Sequence, residues 1–382
     1  VWEARAEAAK GVFERFLAAH AEGGESPLAA SLQMPGMQEV LPAGLPLMEL
    51  VVRPAAVMAA FGQADMMPLR QIGLDQLGPV AWRQSLDKGI LRSGLFIPLP
   101  APRSSLLQIL DQRCDESDVP PFVTAEAIDL TQISLDLGDV YTTVRQFATA
   151  GGEEQVRNMF NTAEAQTLGL IGVELPKLLS SLGSRHWIVS YPPRIAEAMA
   201  AARQARDGDA AARQVTPNRF ALVWQVEDEG PFAKILQRLA PLAGGDLKDE
   251  QGFRGLRLPG GAAVFLGHRH LLVAVGEDTL EKTMSAIRNP PAAEASLRES
   301  DALRRIRELM PLPACRAFGV NDNSRTGGFL GSLRDIVAAL APEDVPEESR
   351  TLLAAVQPLL PTLAEMEGIF GAGGWTLEAT DR

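Results

Sequence analysis

The sequence predicts an α+β protein made of tandem β-α-β-β-β-α repeats, forming antiparallel sheets covered by helices. Three observations carry this expectation. The stretch FALVWQVE (220–227) puts Phe220, Leu222, Trp224 and Val226 on one face at period two, the mark of a strand. The stretch PFAKILQRLAPLA (231–243) puts Phe232, Ile235, Leu236 and Leu239 on one helical stripe, with Pro231 suited to a first turn. Then FRGLRLP, AAVFLG and HLLVAVG read as three short strands split by glycine turns, and Asp278 to Glu281 reads as a capping box opening the helix TLEKTMSAI.

Pieces of this unit recur. Its opening strand-helix pair is repeated in LMELVVRPAAVMAAFG (47–62), TQISLDLGDVYTTVRQFA (131–148) and RAFGVNDNSRTGGFLGSLRDIVAAL (316–340). Its closing strand-helix pair is repeated in SGLFIPLPAPRSSLLQIL (93–110) and HWIVSYPPRIAEAMAAA (186–202). The starts are spaced by roughly 90 residues, long for a solenoid but suited to repeated small α+β units. Short turns such as DKG (87–89) and PG (259–260) imply antiparallel pairing.

The expected order along the chain is therefore an N-terminal helical segment over 1–44, with Val12, Phe13, Phe16 and Leu17 as its apolar patch, then a first α+β repeat pair over 45–192. A helical linker or insertion follows over 193–216, rich in Ala, Arg and Asp, with a turn at RDGD. A second repeat pair occupies 217–382, with a helix in RTLLAAVQPLLPTLAEM broken near Pro358 and Pro361. GGWTLEATDR reads as a fourth closing strand, so a further C-terminal element is expected beyond it. The tryptophans Trp82, Trp187, Trp224 and Trp375 fall in strands and read as core packing across the sheets.

The succession FALVWQVEDEGPFAKIL, FRGLRLP, LLVAVGEDTLEKTM and SDALRRIREL resembles repeated units of bacterial extracytoplasmic proteins of unknown function, and IGLDQLGPVAWRQSLDKGILRSGLFIPLPAPR (72–103) looks like their first half-unit. The resemblance covers most of 45–322. It implies export and repeated β-α-β-β-β-α units, and it supplies no activity and no site residues.

Composition bounds the function. The chain has 382 residues, long enough for two domains or one elongated repeat array, and its 46% hydrophobic and 22% charged residues suit a globular protein. A net charge of −12 argues against a nucleic-acid surface, since phosphate binding needs a concentrated basic face. The cluster Arg304, Arg305, Arg307 is instead the solvated face of a helix whose apolar stripe is Leu303, Ile306 and Leu309. No apolar run is long enough to span a bilayer. The chain begins at Val1 without a methionine, so removal of a targeting segment or anchor is expected, and the resemblance places the protein in the periplasm or cell envelope.

No catalytic set is visible. There is no G-x-S-x-G elbow, no phosphate-binding glycine loop and no Cys/His zinc spacing, so no cofactor is expected. Cys114 and Cys315 are far apart in sequence, and their pairing stays open. His268 and His270 are the candidate metal ligands, two apart in GHRHLLVAVG, but a third ligand would have to come from elsewhere and a hairpin turn is the stronger reading. The acidic runs VEDEG (226–230) and PEDVPEES (342–349), and NDNS (321–324), read as turns or helix N-termini. Glycine-rich TGGFLGSLRD (326–335) reads as a loop before a helix. The leucine-rich stretches 168–183 and 352–366 could line a lipid groove or a plain core. The expected role is non-enzymatic binding or scaffolding with a protein partner. A carrier of a hydrophobic ligand such as lipid and a metal-dependent hydrolase are the alternatives.

Overall fold

The computed structural model of the protein describes residues 41–54, 56, 77–99, 103, 105–112, 114, 117–150, 154–206, 217–243, 245–258, 261–310, 315–325, 333–334, 336–337, 340, 345–362, 365 and 371–379. The helix expected within 1–44, most of the helix after Arg53, the RDGD turn, Pro259–Gly260 and most of 326–344 lie outside them. The α+β class holds: helices cover antiparallel sheets. Two compact units divide between Asp111 and Gln112.

The smaller unit holds a meander of β1 (Leu45–Val52), β2 (Val80–Asp87) and β3 (Ile90–Phe96) in the order β1-β2-β3. The DKG turn does what its residues predict. Lys88 and Gly89 both have positive φ, 50° and 81°, which makes a two-residue hairpin whose twist matches its strands. Leu41, Val51, Ala81 and Phe96 pack together on the inner face.

The larger unit is built on a nine-stranded antiparallel sheet. Its strands in chain order are β4 (Asp129–Ser134), β5 (Leu182–Tyr191), β6 (Arg219–Val226), β7 (Lys248–Glu250), β8 (Phe253–Arg257), β9 (Ala262–Gly267), β10 (His270–Val275), β11 (Ala317–Asp322) and β12 (Ala372–Leu377). In space they run β12-β11-β4-β5-β6-β10-β9-β8-β7. Its helices are α1 (Leu137–Ala150), α2 (Glu154–Ile171), α3 (Leu175–Ser180), α4 (Ile195–Arg206), α5 (Gly230–Leu242), α6 (Glu277–Arg288), α7 (Asp301–Leu309) and α8 (Glu347–Val356).

Two apolar layers hold this sheet. On one face, Leu130, Trp187, Val223, Phe265, Leu272 and Phe318 pack with Leu280 and Met284 of α6, Leu303 and Ile306 of α7, and the 119–123 segment. On the other, Val226, Leu256 and Leu266 meet Phe232, Leu236 and Ala240 of α5, the helix the stripe predicted. Covering both faces buries Ala221 and Val223 more deeply than the period-two set Phe220, Leu222 and Trp224, so in β6 the alternation marks the strand but not its deeper face.

Four details differ from the sequence expectation. The segment after β5 contributes α4, but it divides nothing: β5 and β6, on its two sides, are hydrogen-bonded neighbours. A three-residue strand, β7, precedes the three predicted strands. Asp278 caps nothing; Gly276, at φ 95°, is the N-cap of α6, and the Asp278 carboxylate turns to arginines instead. Trp375 lies on edge strand β12 at 47% exposure, its indole filling the space over Gly319 of β11 in place of a side chain there.

Elsewhere local chemistry behaves as read. Ser300 caps α7 by accepting from Leu303 N–H, and the helix buries Leu303 and Ile306. Leu309 sits at the stripe's open end, 41% exposed. Residues 357–359 tighten to 3₁₀ geometry at Pro358, where α8 stops.

Candidate functional site

The site begins at the turn between β9 and β10. His268 and Arg269 have φ of 50° and 59°, the two central residues of a two-residue hairpin closed by the Gly267–His270 pair. Positive φ at two residues with side chains is unfavourable, and the acidic run before α5 holds it. Glu229 Oε1 accepts from Arg269 N–H at 2.8 Å, and Glu227 forms an ion pair with the Arg269 guanidinium. The carboxylates of VEDEG are thus a clamp on this turn.

The two histidines then part company. The His268 ring packs on Phe253, with centroids 5.0 Å apart. The His270 ring lies 5.8 Å from Phe122 and 6.1 Å from Trp187. Its Nδ1 donates to the His268 carbonyl at 2.7 Å, a partner that can only accept, so Nε2 keeps its lone pair. Burial lowers the His270 pKa below 6.5, which keeps the ring neutral at pH 7. Among the described residues, no point gathers three His, Cys, Asp or Glu side chains that could hold a metal ion.

His270 lines a cleft of about 290 Å³. Its apolar wall comes from Pro120, Pro121, Phe122, Trp187, Ile287 and Pro290, and its charged rim from Asp118, Arg185 and Arg298. Trp187 is fixed from behind: its Nε1 donates to Gln132 Oε1 at 2.7 Å, and Phe122 meets it edge-on at 5.4 Å and 88°. The 117–128 segment is strapped to 293–297, since Ala125 N–H donates to Ala295 O and Leu297 N–H to Val123 O. Asp118 accepts two guanidiniums, Arg298 and, at 2.9 Å, Arg307. One of the arginines read as a solvated face therefore has a structural partner.

Two wider hollows are shallow. One of about 590 Å³ runs along α2 past Met159, and one of about 470 Å³ lies between α6 and Thr124 and Glu126. No disulfide joins Cys114 and Cys315. Cys315 is buried, its Sγ 3.0 Å from Ser117 Oγ, and burial pushes its thiol pKa up. The Asp322 carboxylate of NDNS accepts from Ser324 N–H and Oγ–H, which closes a local turn.

Of the residues singled out in the sequence, only His270 and Trp187 reach the cleft. Phe122, Asp118 and Arg298 went unmarked. Pro120-Pro121-Phe122 between polar stretches was the one available signal.

His186, on β5, is buried with Nε2 2.9 Å from the Leu135 carbonyl, and its Nδ1 has no hydrogen-bond partner. Burial lowers its pKa below 6.5. For a base whose folded pKa is depressed, the folded state favours the neutral form. Stability is complete above the unfolded value of 6.5 and drains as pH falls through the folded pKa. Urea midpoints of the wild type are expected to drop between pH 7.5 and 5, and His186→Gln to flatten that drop. Equal slopes in the two proteins would refute the assignment.

No family model and no curated protein matches the chain. Among solved structures, the chain is similar to the one described as crystal form I of TP0453, at 12% identity over 60% of this chain and 70% of that one, with a TM-score of 0.28. A likeness that slight carries no argument about function.

Proposed function

We propose that this protein is a non-enzymatic binding or scaffold protein of the periplasm or cell envelope that engages a protein partner through the outer face of its three-stranded sheet. One observation carries the reading. The register aligns Leu45 with Leu86 and Leu91, and Leu50 with Trp82 and Leu95, on the face opposite the small core. Leu45 is 68% exposed and Leu91 58%. Contiguous apolar faces of this kind mark interaction surfaces, because each such side chain left in water forgoes roughly 1.5–3 kcal/mol of burial. Tandem β-α-β-β-β-α units would extend that surface. No helix among the described residues is long and apolar enough to cross a membrane.

The test is native mass spectrometry of the protein purified from its own source. A larger complex is expected for the wild type and its loss in Leu50→Asp/Leu95→Asp. Both leucines are exposed, so the double variant should change folding stability by less than about 1 kcal/mol. A bare monomer for both proteins would refute the reading. The carrier of a hydrophobic ligand is the second reading, favoured by the apolar wall of the cleft. Its volume of about 290 Å³ lies at the lower limit of roughly 300 Å³ for ligand cavities, so a small occupant suits it better than a lipid.

A further inference from the structure

We propose that the cleft at the head of β10 binds a small uncharged phenol, a single ring whose hydroxyl donates to His270. The inference deepens the second reading, a small hydrophobic ligand, and stands apart from the sheet face and its partner. Size comes first. Liquid water takes roughly 30 Å³ per molecule, so about 290 Å³ holds about ten non-hydrogen atoms, a single substituted ring. Shape agrees: Phe122, Trp187 and the prolines offer flat apolar walls, and Trp187 is locked by Gln132 rather than free to collapse into the space.

One polar atom selects the hydroxyl. The Trp187 indole has no donor left for a ligand, since its Nε1–H is bound to Gln132. The His270 ring lies beside two of the apolar walls, Phe122 and Trp187. Its Nδ1–H is committed to the His268 carbonyl, and burial keeps the ring neutral at pH 7, so Nε2 is a lone-pair acceptor. No described residue donates to Nε2, and unlike His186 Nδ1 it is not sealed from solvent. An acceptor set among apolar walls is satisfied by a ligand that brings one O–H and otherwise buries a ring. The rim calls for no charge on that ligand. Asp118 already faces the Nε and Nη2 edge of Arg298 and the Nη2 of Arg307. A ligand anion would have to compete with that carboxylate, and would set its own charge against apolar walls.

The experiment titrates the intact protein with 4-methylphenol, methoxybenzene and benzoate, by calorimetry and by following the tryptophan indole and histidine imidazole NMR signals. The first two have the same molecular formula and differ in whether the oxygen carries a proton. 4-Methylphenol is expected to bind about fivefold more tightly than methoxybenzene, the effect of one neutral hydrogen bond, with benzoate weaker than either and with shifts at Trp187 and His270. His270→Phe, which keeps a ring in place, should bring 4-methylphenol to the level of methoxybenzene and leave methoxybenzene unchanged. If that variant does not fold, the comparison of the three ligands on the wild type still decides. Methoxybenzene binding as tightly as 4-methylphenol would overturn the proposal while sparing the small hydrophobic ligand of the second reading. Benzoate binding as tightly would overturn the choice of an uncharged ligand. No shift at Trp187 and His270 up to about 10 mM would overturn the cleft as a binding site altogether.

Discussion

Gly255→Ala is expected to lower the stability of the nine-stranded unit by about 3 kcal/mol or more, a fall of roughly 6–12 °C in Tm. Gly255 is the middle residue of β8, paired with Phe265 of β9 on one side and Lys248 of β7 on the other. A methyl group there would lie 2.1 Å from the Val264 carbonyl oxygen and 2.6 Å from both Cα and Cγ of Phe265. Two of those atoms are backbone, and the third belongs to a ring with no exposed surface. Nothing flexible can yield, so β8 and β9 must separate, and the Phe265 ring must leave its place in the main core. Gly245 supplies the control. Nothing lies within 4 Å of a methyl group there, so Gly245→Ala should leave stability unchanged or raise it by up to about 1 kcal/mol through the unfolded chain. Thermal melts of the two variants that coincide would show that β8 and β9 are not packed as described.

Much of this arrangement was legible because it depends on neighbours in sequence. The β6–α5 pair rests on a change of period from two to 3.6, and the DKG turn rests on Gly89, which tolerates positive φ. What could not be read depends on distance. Nothing local in VEDEG says that Glu227 and Glu229 will grip Arg269, some 40 residues on. Trp375 has the pattern of a core residue, yet β12 is the last strand at one edge of the sheet, with a neighbouring strand on one side only among the described residues. The cleft is assembled from 118–122, 185–187, 270 and 287–298, four stretches with no shared periodicity. Its chemistry exists only after the sheet order β5-β6-β10 brings Trp187 and His270 to one end.

Asp278 shows how a local motif can be outcompeted, and its removal is expected to cost about 2–3 kcal/mol. The capping-box reading assigns Asp278 and Glu281 reciprocal bonds to backbone N–H groups. The structure starts the helix two residues earlier and sends the Asp278 carboxylate to Arg219, with Nε at 3.2 Å, and to Arg194 Nη2 at 2.8 Å. Arg219 opens β6 with its side chain only 8% exposed, lying 5.6 Å over the Tyr191 ring, and its Nη1 donates to the Pro192 carbonyl. A charge so enclosed needs its counter-ion more than a helix terminus needs a cap, since breaking a buried pair costs about 3–5 kcal/mol whereas a lost cap costs about 1 kcal/mol. Partial exposure of Asp278 reduces the first figure to about 2–3 kcal/mol. Urea unfolding of Asp278→Ala measures it. The companion Glu281→Ala, which loses only a solvent-exposed contact with Arg257 at 3.5 Å, should change stability by less than about 0.5 kcal/mol. Replacing both members of the buried pair, as Arg219→Met/Asp278→Leu, should recover most of the loss, because no charge is then left stranded. Equal losses for Asp278→Ala and Glu281→Ala would restore the capping box and remove the ion pair from its place in tying α6 to β6.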